Sequence, residues 1–278
     1  MFTDEFAEYY GFEDPDNAGD HLSLCELVER GKIHDVWIVG AHVESDAVPA
    51  EVLEYKQRYT RNDNPIPGSF APCAGNGCFR REVSPCGRSV RIGFINYKRG
   101  PGCYLHNMAH LMEWTNGHGV VPGFSRWFDR YANMDLNERY GLPFQSFYHV
   151  DCQKDQCITF PDASTVEIRH KGETYTIENW EPVCGNCHFP PNGVKDYDFE
   201  NDTEVRATCN GFGRQGVSCR QDSAGTVSQT NWKSLRSEVP DCAGGYLTWW
   251  YRRMPAHGTS HTYPNGEAMK SVWPYLFY

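Results

Sequence analysis

Twelve cysteines constrain the fold of this 278-residue chain more than any other feature. Cys73 and Cys78, Cys152 and Cys157, Cys184 and Cys187, and Cys209 and Cys219 stand as close pairs in segments rich in Gly, Pro and Asn, which reads as a set of local staples. Cys25, Cys86, Cys103 and Cys242 are left for longer links, whose connectivity spacing does not determine. An even count in such segments suits an oxidising compartment, so the expected location is secreted, extracellular or periplasmic. Met1-Phe-Thr-Asp-Glu-Phe6 lacks the basic start and apolar core of a signal peptide, so either the chain is a mature form with an added Met or the cysteines are reduced. Cys184-Gly-Asn-Cys187 also admits a redox pair or half of a zinc knuckle. It does not open a helix and no second CxxC occurs, so a structural disulfide is the expectation. Asn201-Asp-Thr203 forms one glycosylation sequon.

Hydrophobic periodicity organises the chain. Leu24, Leu27 and Val28 recur at helical spacing within 20–31, with Asp20 as the expected N-cap and Gly31 as the stop. Asp35-Val-Trp-Ile-Val-Gly40 and Ser89-Val-Arg-Ile-Gly-Phe-Ile95 are nearly continuous apolar runs, as in buried strands. Residues 103–116 return to helical spacing. These units predict an α/β fold with a mostly parallel sheet, in which strands 35–40 and 90–95 are parallel neighbours. Residues 61–88, dense in Asn, Pro, Gly and Cys, predict a stapled surface loop, and 165–177 a peripheral β-hairpin turning at Lys171-Gly172. Without repeats or a long linker, one domain over 1–278 is expected, with an α/β core at about 20–150 and a hairpin and loop-rich part at about 151–278.

The formal charge of −10 and the lack of any Lys/Arg cluster beyond pairs such as Arg80-Arg81 exclude the electrostatic footprint of a nucleic-acid-binding protein. No apolar run approaches the roughly 18 residues of a membrane span. Oligomeric state is not legible.

The chemistry-bearing segment is Tyr104-Leu-His106-Asn-Met-Ala-His110-Leu-Met-Glu113. At about 100° per residue, His106, His110 and Glu113 fall within an arc of roughly 60°, beside an apolar stripe of Leu105, Met108, Ala109 and Met112. Two imidazoles at i and i+4 can share a metal ion, and a carboxylate one turn on serves as a third ligand or a base. A solvated helical face is the alternative reading of the same spacing. The other apolar strand is followed by His42 and Glu44, which a shared carboxyl edge would bring opposite the helix, Glu44 with Glu113 as catalytic carboxylates and His42 towards substrate. His188, directly after the expected Cys184–Cys187 staple and before Pro190 and Pro191, is a third candidate metal ligand or a transition-state donor. His118 ranks lower, and His257 and His261 read as surface residues. Two imidazoles with carboxylates suit a divalent ion, with zinc expected, whereas calcium wants more oxygens.

The strand 35–40, the helix from Arg99-Gly-Pro-Gly-Cys103 through Glu113, the loop His188-Phe-Pro-Pro-Asn192, Trp249-Trp250 and Trp273-Pro-Tyr-Leu-Phe-Tyr278 resemble, in this order, a family of uncharacterised secreted proteins of bacteria and fungi. The resemblance spans most of 22–278 and implies secretion and a shared site of Glu44, His106, His110, Glu113 and His188, with no reaction attached. The chain departs from that pattern near Glu44, where a Gly/aromatic run is absent.

The leading expectation is a metal-dependent hydrolase acting on peptide or acylated-glycan substrates. Its alternative is a glycoside hydrolase or carbohydrate-binding protein that uses Glu44 and Glu113 without metal and stacks sugars on Trp249, Trp250 and Trp273. No G-x-S-x-G supports a serine hydrolase, and Gly211-Phe-Gly-Arg-Gln-Gly216 lies between two cysteines rather than after a strand.

Overall fold

The computed structural model describes residues 8–9, 11–40, 52–71, 74–75, 86–151, 156–211, 225–255, 260–262 and 268–277. Helix α1 (Leu24–Glu29) begins at Ser23, not at Asp20: the Ser23 hydroxyl accepts from the Glu26 N–H, and the Glu26 carboxylate accepts from the Ser23 N–H in a reciprocal capping box. Gly31 takes φ +67° just past its end, the conformation a helix stop needs.

Strand β1 (Asp35–Gly40) pairs in parallel with β4 (Val90–Asn96), Asp35 opposite Arg91 and Gly40 opposite Asn96, as the apolar runs predict, but β1 is an edge strand with Trp37 and Val39 exposed rather than a buried one. The rest of the sheet differs. Strand β2 (Val52–Tyr59) lies antiparallel on the other side of β4, and β3 (Pro65–Ala71) antiparallel to β2, giving the order β1-β4-β2-β3. One parallel pair makes this a mixed sheet rather than a mostly parallel one. Part of the segment expected to be a loop is therefore a strand; Pro65 and Pro67 obscure it, yet they are tolerated because an edge strand leaves one row of amides unpaired.

Arg91 is buried and reaches from β4 to the Asp35 carboxylate on β1 and to the Tyr104 hydroxyl, linking the two strands to the next helix. That helix, α2 (Pro101–Gly117), follows β4 directly. No side chain of its own caps it. Instead the Asp241 carboxylate accepts from the Gly102 and Cys103 N–H groups, each at 3.3 Å, and Cys103 is disulfide-bonded to Cys242. Gly102 is required for this approach, since a Cβ there would lie 2.1 Å from the Asp241 carbonyl oxygen.

The main core joins α2 with α3 (Pro122–Tyr131) and the later helix 244–251: Met108, Leu111 and Met112 pack with Phe124, Trp127, Phe128, Trp249 and Trp250. It extends from Tyr59 to Leu276. After α4 (Leu136–Tyr140), the strands β5 (Ile158–Asp162), β6 (Thr165–His170) and β7 (Glu173–Ile177) form an antiparallel sheet. The hairpin is as expected, with Lys171 and Gly172 both at positive φ. It is not a peripheral appendage: Val166, Ile168 and Ile177 cover a second cluster with Phe144, Phe147, Trp180 and Phe189. The remaining elements are β8 (Val205–Ala207) with β9 (Gly225–Val227), α5 (Gly244–Tyr251), β10 (Ser260–Thr262) with β11 (Ala268–Lys270), and α6 (Trp273–Phe277). Among the described residues, no helix is long and apolar enough to cross a membrane.

Candidate metal centre

Helix α2 buries Met108, Ala109, Leu111 and Met112, which sets His106 and His110 side by side at the margin of its apolar face. His110 Nε2 lies 3.0 Å from His106 Nε2 and 3.1 Å from His188 Nε2. Two nitrogens each about 2.0–2.1 Å from one ion stand about 3.3–3.4 Å apart at the tetrahedral angle and about 2.9 Å apart at a right angle, so the observed separations fit a shared ion. His106, His110, Cys187 and His188 together form a group whose ligand atoms lie within 4.8 Å of one another and could hold a metal ion.

His188 reaches this point because its loop is rigid. Gly185 takes φ +71°, and a Cβ there would lie 2.2 Å from the Phe189 carbonyl oxygen. Asn186 closes the turn, its side-chain oxygen accepting from the His188 and Phe189 N–H groups and its own N–H donating to Phe189 O. Helix α5 holds the loop from behind: the Trp250 indole N–H donates to Gly185 O, and the Tyr246 hydroxyl is shared between Cys184 O and Asn186 O, each at 2.9 Å. A disulfide from Cys184 to Cys209 anchors the start of the loop, and the end is tied by Asn192, whose amide donates to Asn201 O and Thr203 O. The sequon residue Asn201 serves the same purpose, its amide donating to Asn192 O and Asp198 Oδ2.

A carboxylate stands behind two of the three imidazoles. Glu113 Oε2 is hydrogen-bonded to His110 Nδ1 at 3.0 Å, and Asp196 Oδ1 lies at ion-pair distance, 3.0 Å, from His188 Nδ1. The Glu113 carboxylate favours the His110 tautomer that carries its proton on Nδ1 and its lone pair on Nε2, facing the other imidazoles. Burial, followed by the neighbouring His110, pulls His106 down to about 4, and burial, followed by His110 and His106, pulls His188 down to about 3. Both are therefore neutral at physiological pH, the form that binds metals.

Glu113, expected to be a base or a ligand, has a different place. It is only 6% exposed, and its two oxygens accept from the Tyr148 hydroxyl and the Cys187 N–H besides facing His110. Tyr148 stays a phenol, since burial and then Glu113 push its hydroxyl well above the usual range. Cys187 Sγ lies 3.4 Å from His106 Nδ1, and burial followed by Glu113 keeps it a thiol.

Several expectations change. Cys184 pairs with Cys209 rather than Cys187, and Cys209 consequently not with Cys219; Cys187 is the free cysteine among the described residues. Cys25–Cys86 and Cys103–Cys242 are the longer links, and Cys157 is also disulfide-bonded. Trp249 and Trp250 are 2% and 0% exposed, which places them in the core and not on a sugar-stacking surface. His118 stacks on Trp114 past the end of α2, away from the cluster. His42 and Glu44 lie outside the described residues, as do Cys73, Cys78 and His257, and of His261 only the backbone, in β10, is described. Asp196, Tyr197, Tyr148 and Cys187 are the site residues that sequence reasoning missed. Cys187 and Asp196 flank His188 closely enough for proximity to have raised them, whereas nothing local marks Tyr148. No known protein family, curated protein or solved structure matches this chain.

Proposed function

We propose that the protein is a secreted, zinc-dependent hydrolase acting on peptide or acylated-glycan substrates. The observation that carries this reading is the meeting of His106, His110 and His188 through their Nε2 atoms, with carboxylates behind two of the rings. Three imidazoles suit zinc, a borderline ion content with nitrogen ligands, and leave it a position for water or substrate. When bound, such an ion polarises a carbonyl and lowers the pKa of coordinated water to about 7.

The chain's own residues supply the geometry. His106 and His110 are fixed by α2, His188 by the Gly185 turn, and Glu113 orients the His110 ring. Glu113 is committed to Cys187, Tyr148 and His110, which argues against its service as a general base and against a metal-free glycosidase using Glu44 and Glu113. The disulfides support an oxidising compartment.

The test is elemental analysis of the purified protein with chelation and zinc restoration, coupled to hydrolysis assays on peptide and acetylated-glycan substrates. One zinc per chain is expected, with chelation abolishing hydrolysis and zinc restoring it. His106→Ala, His110→Ala and His188→Ala should lose zinc while retaining their circular dichroism. A wild-type protein that takes up no zinc, or histidine variants that keep it, would overturn the reading.

A further inference from the structure

Tyr197 follows the site loop, and the reading above gives it no role. Its hydroxyl oxygen lies 2.7 Å from His188 Nε2, the nitrogen that faces the other imidazoles, and not beside Nδ1, where Asp196 stands. Its ring stacks over His106 with an interplanar angle of 13° and lies 4.1 Å from the His188 ring centre to centre. The phenol oxygen therefore stands beside His188 Nε2, one of the nitrogens that meet at His110 Nε2.

The backbone aims it there. Tyr197 adopts φ +57°, a left-handed conformation that is uncommon for a bulky residue, and its N–H donates to His188 O at 3.1 Å. A turn of this kind folds the side chain back over the histidine it follows. Tyr148, the other phenol near His188, is buried and bound to Glu113, whereas Tyr197 is 50% exposed and has solvent to swing into.

We propose that Tyr197 is a displaceable fourth ligand of the metal: its phenolate oxygen bonds the ion at rest and gives way to the incoming substrate oxygen. The inference rests on the zinc reading of the three histidines. On metal binding, the metal–oxygen bond forms as the phenol O–H bond breaks and the proton passes to solvent; on displacement, that bond breaks and the phenolate regains a proton from solvent. The site is thus closed as three nitrogens and one oxygen until a ligand with a stronger claim enters.

Copper makes the bond visible, because a phenolate bonded to cupric ion gives a charge-transfer band in the visible that imidazoles alone do not. Full-chain protein is stripped with chelator, loaded with one equivalent of cupric ion, and its copper content and absorption are measured with and without acetohydroxamate. Wild type should hold one copper and show the band, Y197F should hold one copper without it, and saturating acetohydroxamate should bleach it in the wild type. A copper-loaded wild type lacking the band, a Y197F protein retaining it, or a band unmoved by saturating acetohydroxamate would overturn the proposal while leaving the histidine site intact. Failure of the wild type to hold either copper or zinc would instead overturn the metal site itself, and the tyrosine's role with it.

Discussion

The Glu113 carboxylate accepts a 2.8 Å hydrogen bond from the backbone N–H of Cys187, 74 residues further along the chain, and with its other oxygen meets His110 Nδ1 at 3.0 Å. One side chain thus ties the loop that carries His188 to the helix that carries His106 and His110. Glu113→Gln keeps the volume but turns one acceptor into a donor, so one of these contacts is lost. Zinc affinity should fall roughly 10–100-fold, as measured by competition with a chromophoric chelator. Unchanged affinity would show that Glu113 does not orient His110.

Gly185 holds the turn before His188. Gly185→Ala puts a methyl group against Phe189 O in a left-handed conformation, and stability should drop by about 1–3 kcal/mol. The sharper readout is the stabilisation that added zinc confers in denaturant unfolding, since a ligand stabilises only a protein that retains its site. That increment should shrink or vanish in the variant, and a full increment would mean that the loop position is not needed for binding.

Peptide mapping without reductant should recover Cys184 linked to Cys209, Cys103 to Cys242 and Cys25 to Cys86. Cys187 should resist alkylation in the folded protein, being buried and held as a thiol, and react once the chain is unfolded. Replacing Cys184 and Cys209 by serine removes a link across 25 residues and should cost roughly 3–4 kcal/mol by loop-closure entropy. A Cys184–Cys187 peptide would contradict the map.

Asp129 gives the stability a definite pH dependence. Burial raises its carboxyl from 3.8 to about 6, against the opposing hydrogen bond from the Asn116 amide at 2.6 Å. The folded state therefore holds this proton more tightly than the unfolded chain, and the contribution present below about 3.8 is lost as pH rises through about 6. Asp129→Asn should stabilise the protein at pH 7 by about 1–2 kcal/mol, allowing for the solvent that still reaches the group, and by little at pH 4. Denaturant melts of both proteins at the two pH values check the sign; an advantage of equal size at pH 4 would refute the assignment.

Local periodicity carried the parts of the site that depend on spacing within one element. The face shared by His106 and His110 follows from 3.6 residues per turn, the parallel β1–β4 pair from two apolar runs, and the rigidity around His188 from its two prolines, whereas the Cys184–Cys187 staple also expected there does not form. Strand β2 escaped because Lys56, Gln57 and Arg58 break its apolar character, and β3 because its prolines and glycine mimic a loop.

What the sequence by itself determined is therefore which residues could face a metal: two imidazoles at one helical pitch and a third on a stiff loop. Only the tertiary structure decided what stands behind and over them. Glu113 became the hinge between helix and loop, Trp250 a support beneath that loop, and Tyr197 a lid over the histidines. Cysteine pairing was decided at the same level, since Cys184 meets Cys209 through the packing of the loop and not through the shorter spacing to Cys187. The physical reason is common to all of these. Periodicity along the chain sets the direction of a side chain, whereas hydrogen bonds and disulfides are made with whatever the fold brings within reach, and that distance is not written in the spacing.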